Sequence, residues 1–192
     1  MTRSYSEPSY LFLKTQKYEI EFICYAIGSR LLILADSSAA ACTGITLKSK
    51  DGATVVARTI EWGGSYLKSQ YVIVPRKYTE QSYTPDGKGG MVFTTRYGYV
   101  GLAVEQKEFI AEGINEAGLS AGLFYFPNNG EYEKYEGAKK DKSISDFQLI
   151  AWLLGKCANQ DEVREAVKEV HIISIDPRAS TVHWRFVDRS GR

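Results

Sequence analysis

The sequence is poor in the residues that metal and disulfide chemistry require. It holds two histidines and three cysteines in 192 residues. Cys24, Cys42 and Cys157 are widely spaced and odd in number, which leaves no disulfide framework and no C-x-x-C metal pattern. His171 and His183 lack a metal-like partner spacing. A formal net charge of +1 gives no excess of either sign, so neither nucleic acid nor a membrane surface is an expected partner. No apolar run approaches the ~18–20 residues of a membrane span. The run Pro85-Asp86-Gly87-Lys88-Gly89-Gly90 lacks Walker spacing and no clear helix follows it, which argues against a phosphate loop. There is no repeat, low-complexity tract or interdomain linker, and no cofactor or metal is expected.

What is present is ordinary in bulk and unusual at one place. The apolar fraction of 44% and the charged fraction of 24% are those of a one-domain globular protein. Residues 1–41 form a leader with the apolar runs Phe22-Ile23-Cys24-Tyr25-Ala26-Ile27 and Leu31-Leu32-Ile33-Leu34-Ala35, then Ala39-Ala40-Ala41. An apolar region followed by A-x-A resembles a secretory signal cleaved before Cys42. Arg30, Glu19 and Glu21 weaken that pattern, so a short propeptide and an upstream extension from a misplaced start codon stay open. A lipoprotein site fits less well, because Ala39 stands where such a site usually has Leu. A working signal implies a periplasmic or secreted protein; otherwise the protein is cytoplasmic.

Thr43-Gly44-Ile45-Thr46-Leu47-Lys48 alternates as a strand. Lys50-Asp51-Gly52 is a turn of the Asp-Gly kind, and Thr54-Val55-Val56-Ala57-Arg58 returns as a second strand. This hairpin brings the Arg58 end back towards Cys42. Released by cleavage, Cys42 carries a thiol and an α-amine. Such an amine ordinarily titrates at about 7.7–8.0, so one residue supplies nucleophile and base. Glu61 would orient the ammonium form, while Arg58 would hold that carboxylate and favour the thiolate. A surface ion pair is the alternative for Arg58 and Glu61.

Further strands are expected over Gln70 to Val74, Met91 to Thr95, Tyr97 to Leu102, and Ser180 to Asp188. Phe109 to Ile114 and Leu119 to Phe126 read as a hairpin around Asn115-Glu116-Ala117-Gly118, with Asn115 as turn former rather than catalyst. Asn128 to Lys142 reads as a long exposed loop that could rim a pocket. Phe147, Ile150, Ala151 and Leu154 recur at helical spacing, with Ser143 or Ser145 as cap, and Asn159 opens a second helix with capping-box spacing. Cys157 reads as a buried small hydrophobe. The order of elements gives an α+β layered architecture.

Ala41-Cys42-Thr43, Arg58-Thr59-Ile60-Glu61-Trp62 and Gly113-Ile114-Asn115-Glu116-Ala117-Gly118-Leu119 together resemble the choloylglycine hydrolase family of bile salt hydrolases and penicillin V acylases. The resemblance runs from Cys42 to the last residue. It implies an Ntn-hydrolase four-layer αββα sandwich and hydrolysis of a small linear amide, with Cys42, Arg58 and Glu61 catalytic. It also implies a homo-oligomer for the full-length family form. Glu61 stands where the best-known bile salt hydrolases have Asp. Tyr125 stands where many have Asn, a change familiar from penicillin V acylases. Tyr125 is therefore the oxyanion-hole candidate, and Trp62, Phe124 and Tyr125 are candidate walls for an aromatic acyl group.

Family members continue beyond the equivalent of Arg192 with a catalytic Asn in Thr-Asn-Ser-Pro and a further Arg. Residues 42–192 are thus expected to be an N-terminal portion of the fold. Two functions follow: an amidase, or a catalytically inactive remnant of the same family. A pocket-bearing binding module is a third.

Overall fold

The computed structural model describes residues 42–61, 66–127, 130–176 and 181–192. The leader, Cys24 and Trp62 lie outside the described residues.

Alternation at the start of the described chain produces the expected hairpin, β1 (Gly44–Lys48) against β2 (Thr54–Arg58), with Gly44 opposite Arg58. Gly52 closes it at φ +87°, a conformation open to glycine at little cost. β3 (Ser69–Val74), β6 (Tyr99–Val104), β7 (Ile110–Asn115), β8 (Ser120–Tyr125) and β11 (Val182–Val187) form an antiparallel sheet in the order β11-β8-β7-β6-β3. Two short pairs complete the strands: β4 (Thr79–Gln81) with β5 (Val92–Thr94), antiparallel, and β9 (Ser143–Ser145) with β10 (His171–Ile173), parallel.

Strand parity divides the sheet into two faces. One carries Val72, Val74, Tyr99, Ala103, Ile110, Ala121, Leu123 and Trp184 and packs on α1 (Leu149–Lys156) and α2 (Gln160–Ala166). A Cβ at Gly113 would lie 2.8 Å from Leu154, so its absence sets how closely α1 seats. The other face carries Tyr71, Ile73, Val100, Glu112, Ile114, Gly122, Phe124, His183 and Arg185, and the β1–β2 hairpin lies over part of it. Helices, a sheet and a two-stranded piece over its far face make this an α+β layered fold. Three of the four layers of an αββα sandwich are represented among the described residues.

The β7–β8 turn is built as expected. Gly118 sits at φ +87°. Buried Asn115 accepts from the Leu119 amide at 2.9 Å and donates to the carbonyls of Leu154 and Cys157 at 2.8 and 2.7 Å. It thereby ties the turn to the end of α1. The Asn159 cap also forms, its side chain accepting from Glu162 N at 2.9 Å.

The expected cap of the first helix does not form. Ser143 and Ser145 belong to β9, and α1 begins at Leu149 after Gln148, whose side chain makes no cap bond. Gln148 instead accepts from Tyr83 N at 2.7 Å and donates to Glu80 at 2.6 Å. Residues 149–155 of α1 are all buried, so its apolar positions reflect burial all round rather than one stripe. In the expected 128–142 loop, the described part ends in a 3-10 helix (Gly137–Lys142). Tyr132 in that segment is half-buried, bonds both backbone groups of Val182, and has its hydroxyl pushed up to about 12 by burial.

Asp146 is fully buried beside this segment. Its Oδ1 accepts from Phe147 N at 3.0 Å, but its Oδ2 has no partner. Burial therefore lifts its pKa to about 6. An acid whose folded pKa lies above its unfolded value favours the native state less as pH rises through that window. Asp146→Asn should remove the effect. The variant is expected to gain about 2 kcal/mol relative to wild type between about pH 4.5 and about pH 7.5, read from urea midpoints. A pH-independent difference would contradict it.

Candidate active site

The hairpin continues one step past its strands. Thr59 N donates to Thr43 O at 2.9 Å, and Thr43 N donates to Thr59 Oγ1 at 3.1 Å. This zipper holds Cys42 at the head of β1, and parity places Cys42, Gly44 and Arg58 on the face towards the sheet.

Arg58 is the most constrained charge of the region. Its side chain is only 6% exposed. Opposite positions 112 and 122, and 113 and 121, pair in the β7–β8 ladder, but pairing stops before Ala111 and Leu123 would meet. Ala111 is also skipped by a bulge against β6, where Leu102 faces Glu112 and Ala103 faces Ile110. Arg58 occupies that gap. Its Nη1 donates to Ala111 O at 3.0 Å and also to Leu123 O. The guanidinium carbon lies 4.5 Å from the centre of the Phe124 ring, and Nε donates to Thr59 O at 3.2 Å.

The expected Arg58–Glu61 pair is not formed. The carboxylate beside Arg58 is Glu112, at 4.0 Å from Nε. Parity explains the difference: Arg58 points inward, whereas Glu61 lies three residues on, past the strand end. There Glu61 accepts from Thr59 Oγ1 at 2.9 Å, and through Thr59 it is tied to Thr43 beside the cysteine. Burial lifts the Glu112 carboxyl above its ordinary range, while Arg58 and Arg185 pull it back.

Phe124 and Cys42 share one cleft, together with Gly44, His183, Trp184 and Arg185. Tyr125 follows Phe124 at the end of β8, opposite Val182. Its parity sets it on the other face of the sheet, and it does not line this cleft. Glu112, His183 and Arg185 were not assigned to the site from sequence. The alternation of β11 carried a signal for the last two, but only pairing with β8 shows which strand they adjoin.

Among the described residues no group of His, Cys, Asp and Glu is arranged to hold a metal. The site offers a thiol, a fixed guanidinium and an aromatic wall, which suits nucleophilic chemistry on a small substrate.

A family model described as linear amide C-N hydrolases, choloylglycine hydrolase family, matches residues 42–192. The chain belongs to that family. Relatives of this choloylglycine hydrolase family member include the bile salt hydrolase/transferase of Clostridium perfringens, 27% identical over 79% of this chain and 46% of its own length. Uncharacterized protein A284L of Paramecium bursaria Chlorella virus 1 is 30% identical over 79% of this chain and 47% of its own length. The chain spans about half the length of the curated relatives it matches.

A mutant of conjugated bile acid hydrolase from Clostridium perfringens superposes with a TM-score of 0.62 at 26% identity, over 79% of this chain and 46% of that one. Penicillin V acylase from Agrobacterium tumefaciens superposes at 0.66 with 19% identity, over 77% and 44%, a likeness of fold. The fold is that of the Ntn-hydrolase members of this family.

The two described thiols differ sharply. Cys157 is 1% exposed and its thiol is pushed up to about 11 by burial, so it stays protonated near neutrality. Limiting iodoacetamide followed by peptide mapping is expected to modify Cys42 well before Cys157. Prior labelling of Cys157 would contradict this assignment.

Proposed function

We propose that the protein is a hydrolase of linear amide C–N bonds in which Cys42, freed by cleavage after Ala41, is the nucleophile. The observation that carries this reading is the position of Cys42 at a strand head, sharing a cleft with Phe124 and facing the same way as a buried guanidinium. A second observation supports it. Solved forms of the Clostridium perfringens enzyme carry one substituted cysteine and one substituted arginine sixteen positions apart, the interval between Cys42 and Arg58.

In the proposed mechanism the α-amine takes the Sγ proton, and the thiolate attacks the amide carbonyl carbon. The tetrahedral intermediate collapses as the α-ammonium returns the proton to the leaving nitrogen, breaking the C–N bond and leaving a thioester. Water, deprotonated by the same amine, then releases the acid and restores the thiol. Arg58 fixes the strand end opposite the head of β1, and Glu61 steers the ammonium through its place beside Thr59 and Thr43. Phe124 and Trp62 favour an aryl-acyl amide of the penicillin V kind over a glycine-conjugated bile salt. Export by the signal-like leader makes the site of action periplasmic or extracellular.

A second reading, in which residues 42–192 alone do not turn over, is favoured by exposed apolar groups. Tyr71 is 90% and Ile73 82% exposed on the sheet face, and Leu47 is 56% exposed on the hairpin. Such surface is normally covered.

The test compares kcat/KM for penicillin V and glycocholate on matured residues 42–192 and on a form extended to the length of the relatives. The extended form is expected to prefer penicillin V and to lose activity on Cys42→Ala. On the second reading, residues 42–192 alone should show little or no turnover. Activity that survives Cys42→Ala rejects the mechanism. Preference for glycocholate rejects the substrate assignment.

A further inference from the structure

Residues 130–136 are tied down at the outer edge of the sheet. β11 is the end strand of the order β11-β8-β7-β6-β3, so its far side presents backbone groups that no described strand takes up. Tyr132 takes up those of Val182. Its hydroxyl donates to Val182 O at 3.1 Å, and Val182 N donates to it at 2.6 Å. Tyr135 donates to Asp86 Oδ2 at 3.2 Å, in the loop between β4 and β5. Between the two tyrosines Glu133 meets Nδ1 of His171, the first residue of β10.

These ties respond differently to acid. The tyrosine ties keep their charge state near neutrality, because both hydroxyls are pushed upward, by burial first, and Asp86 is held low, chiefly by Thr84. The Glu133 tie is an ion pair only while the imidazole carries its second proton, and histidine is the side chain that changes charge between about pH 5 and 8. Ser143, opposite His171 on β9, is uncharged. Glu136 on the same segment is a second carboxylate within electrostatic reach of His171. Lys139, at 2.9 Å, is the main cause of its lowered pKa, with His171 and Lys134 contributing. Carboxylates thus dominate what faces the ring.

The segment also covers an interior that is poorly satisfied. Trp184, whose ring lies 6.1 Å from that of Tyr132, has a buried Nε1 without a partner. Asp146, whose charge is felt at the Tyr132 hydroxyl, has a buried Oδ2 without one. Opening would give both atoms water in place of nothing, which lowers its cost. Asp146 works in the same direction as His171. Its raised pKa means that rising pH places an anion in a buried site, whereas acid leaves it neutral.

We propose that residues 130–136 are an acid-closed strap: protonated His171 clasps Glu133 and so holds Tyr132 on the edge of β11, and deprotonation of His171 releases it. β11 also carries His183 and Arg185 into the cleft of Cys42, so the strap closes on a strand of the candidate site. The switch does not rest on the amidase reading.

Hydrogen exchange in the full chain tests this at the Val182 amide, which is bonded to Tyr132 rather than within the ladder. Protection factors remove the pH dependence of intrinsic exchange, and comparing variants at one pH removes the contribution of Asp146. At about pH 5.5, Glu133→Gln and His171→Gln are each expected to lower Val182 protection about two- to fivefold, the scale of one part-exposed ion pair. The double variant should lose no more than either alone. At about pH 8 all three should lie within about 1.5-fold of wild type. The Leu119 amide, held by Asn115, should not respond to these substitutions at either pH.

Tyr132→Phe should lower Val182 protection at both pH values, and unchanged protection there overturns the strap itself. Equal losses in Glu133→Gln at both pH values would mean a tie independent of charge and overturn the switch. So would unchanged Val182 protection at the lower pH, or a matching loss at Leu119, which a merely structural role produces.

Discussion

The site depends on one buried cation. Arg58 inserts its guanidinium where the β7–β8 ladder ends and bonds the carbonyls of Ala111 and Leu123, which would otherwise face each other without a bridge. A charge in so dry a position is costly unless it is fully bonded. Two carbonyls, Thr59 O, the Phe124 ring and the neighbouring Glu112 carboxylate supply that satisfaction. The same bonds fasten the β1–β2 hairpin to the five-stranded sheet. The two-stranded ribbon leaves Ile45, Leu47 and Val55 exposed on its outer side, and among the described residues its other bond to the sheet is the 3.5 Å contact of Arg185 with Ala57 O.

Placement of Cys42 follows from this fastening. The Thr43–Thr59 zipper fixes the cysteine relative to Arg58, and Arg58 fixes the hairpin relative to Phe124 and β11. A buried arginine thus serves position, holding the strand end that faces the head of β1. Charge placed by backbone carbonyls rather than by a long surface ion pair is less open to screening by salt. Glu61 takes the opposite arrangement, outside the sandwich and linked through a threonine hydroxyl.

Much of this was legible in the sequence wherever a local rule governed. Asp51-Gly52 announced the hairpin, Gly118 and Asn115 announced the β7–β8 turn, and Asn159 announced the start of α2. Each of these is settled by neighbours within a few residues. The misses are all long-range. Glu112 as the neighbour of Arg58 requires knowing that the hairpin lies across β7 and that a bulge frees Ala111 there. Ser143 and Ser145 read as helix caps because their parallel partner, β10, is more than twenty residues away. The buried circumference of α1 shows no clean stripe, since helices enclosed on all sides lose the polar half of their periodicity. Arg185 entered the cleft only through the register of β11 against β8 and the missing side chain of Gly44.

The central claim is that Arg58 fastens the hairpin that carries Cys42. Native-state amide hydrogen exchange in Arg58→Met against wild type measures it most directly. The Thr59 amide, bonded across the zipper to Thr43 O, reports on the hairpin, and the Leu119 amide, held by Asn115, reports on the sheet and helices. The account predicts that Thr59 protection falls by about tenfold or more while Leu119 changes by less than about twofold, as for local opening of one unit. Unchanged protection at Thr59 would contradict it, as would an equal loss at both amides.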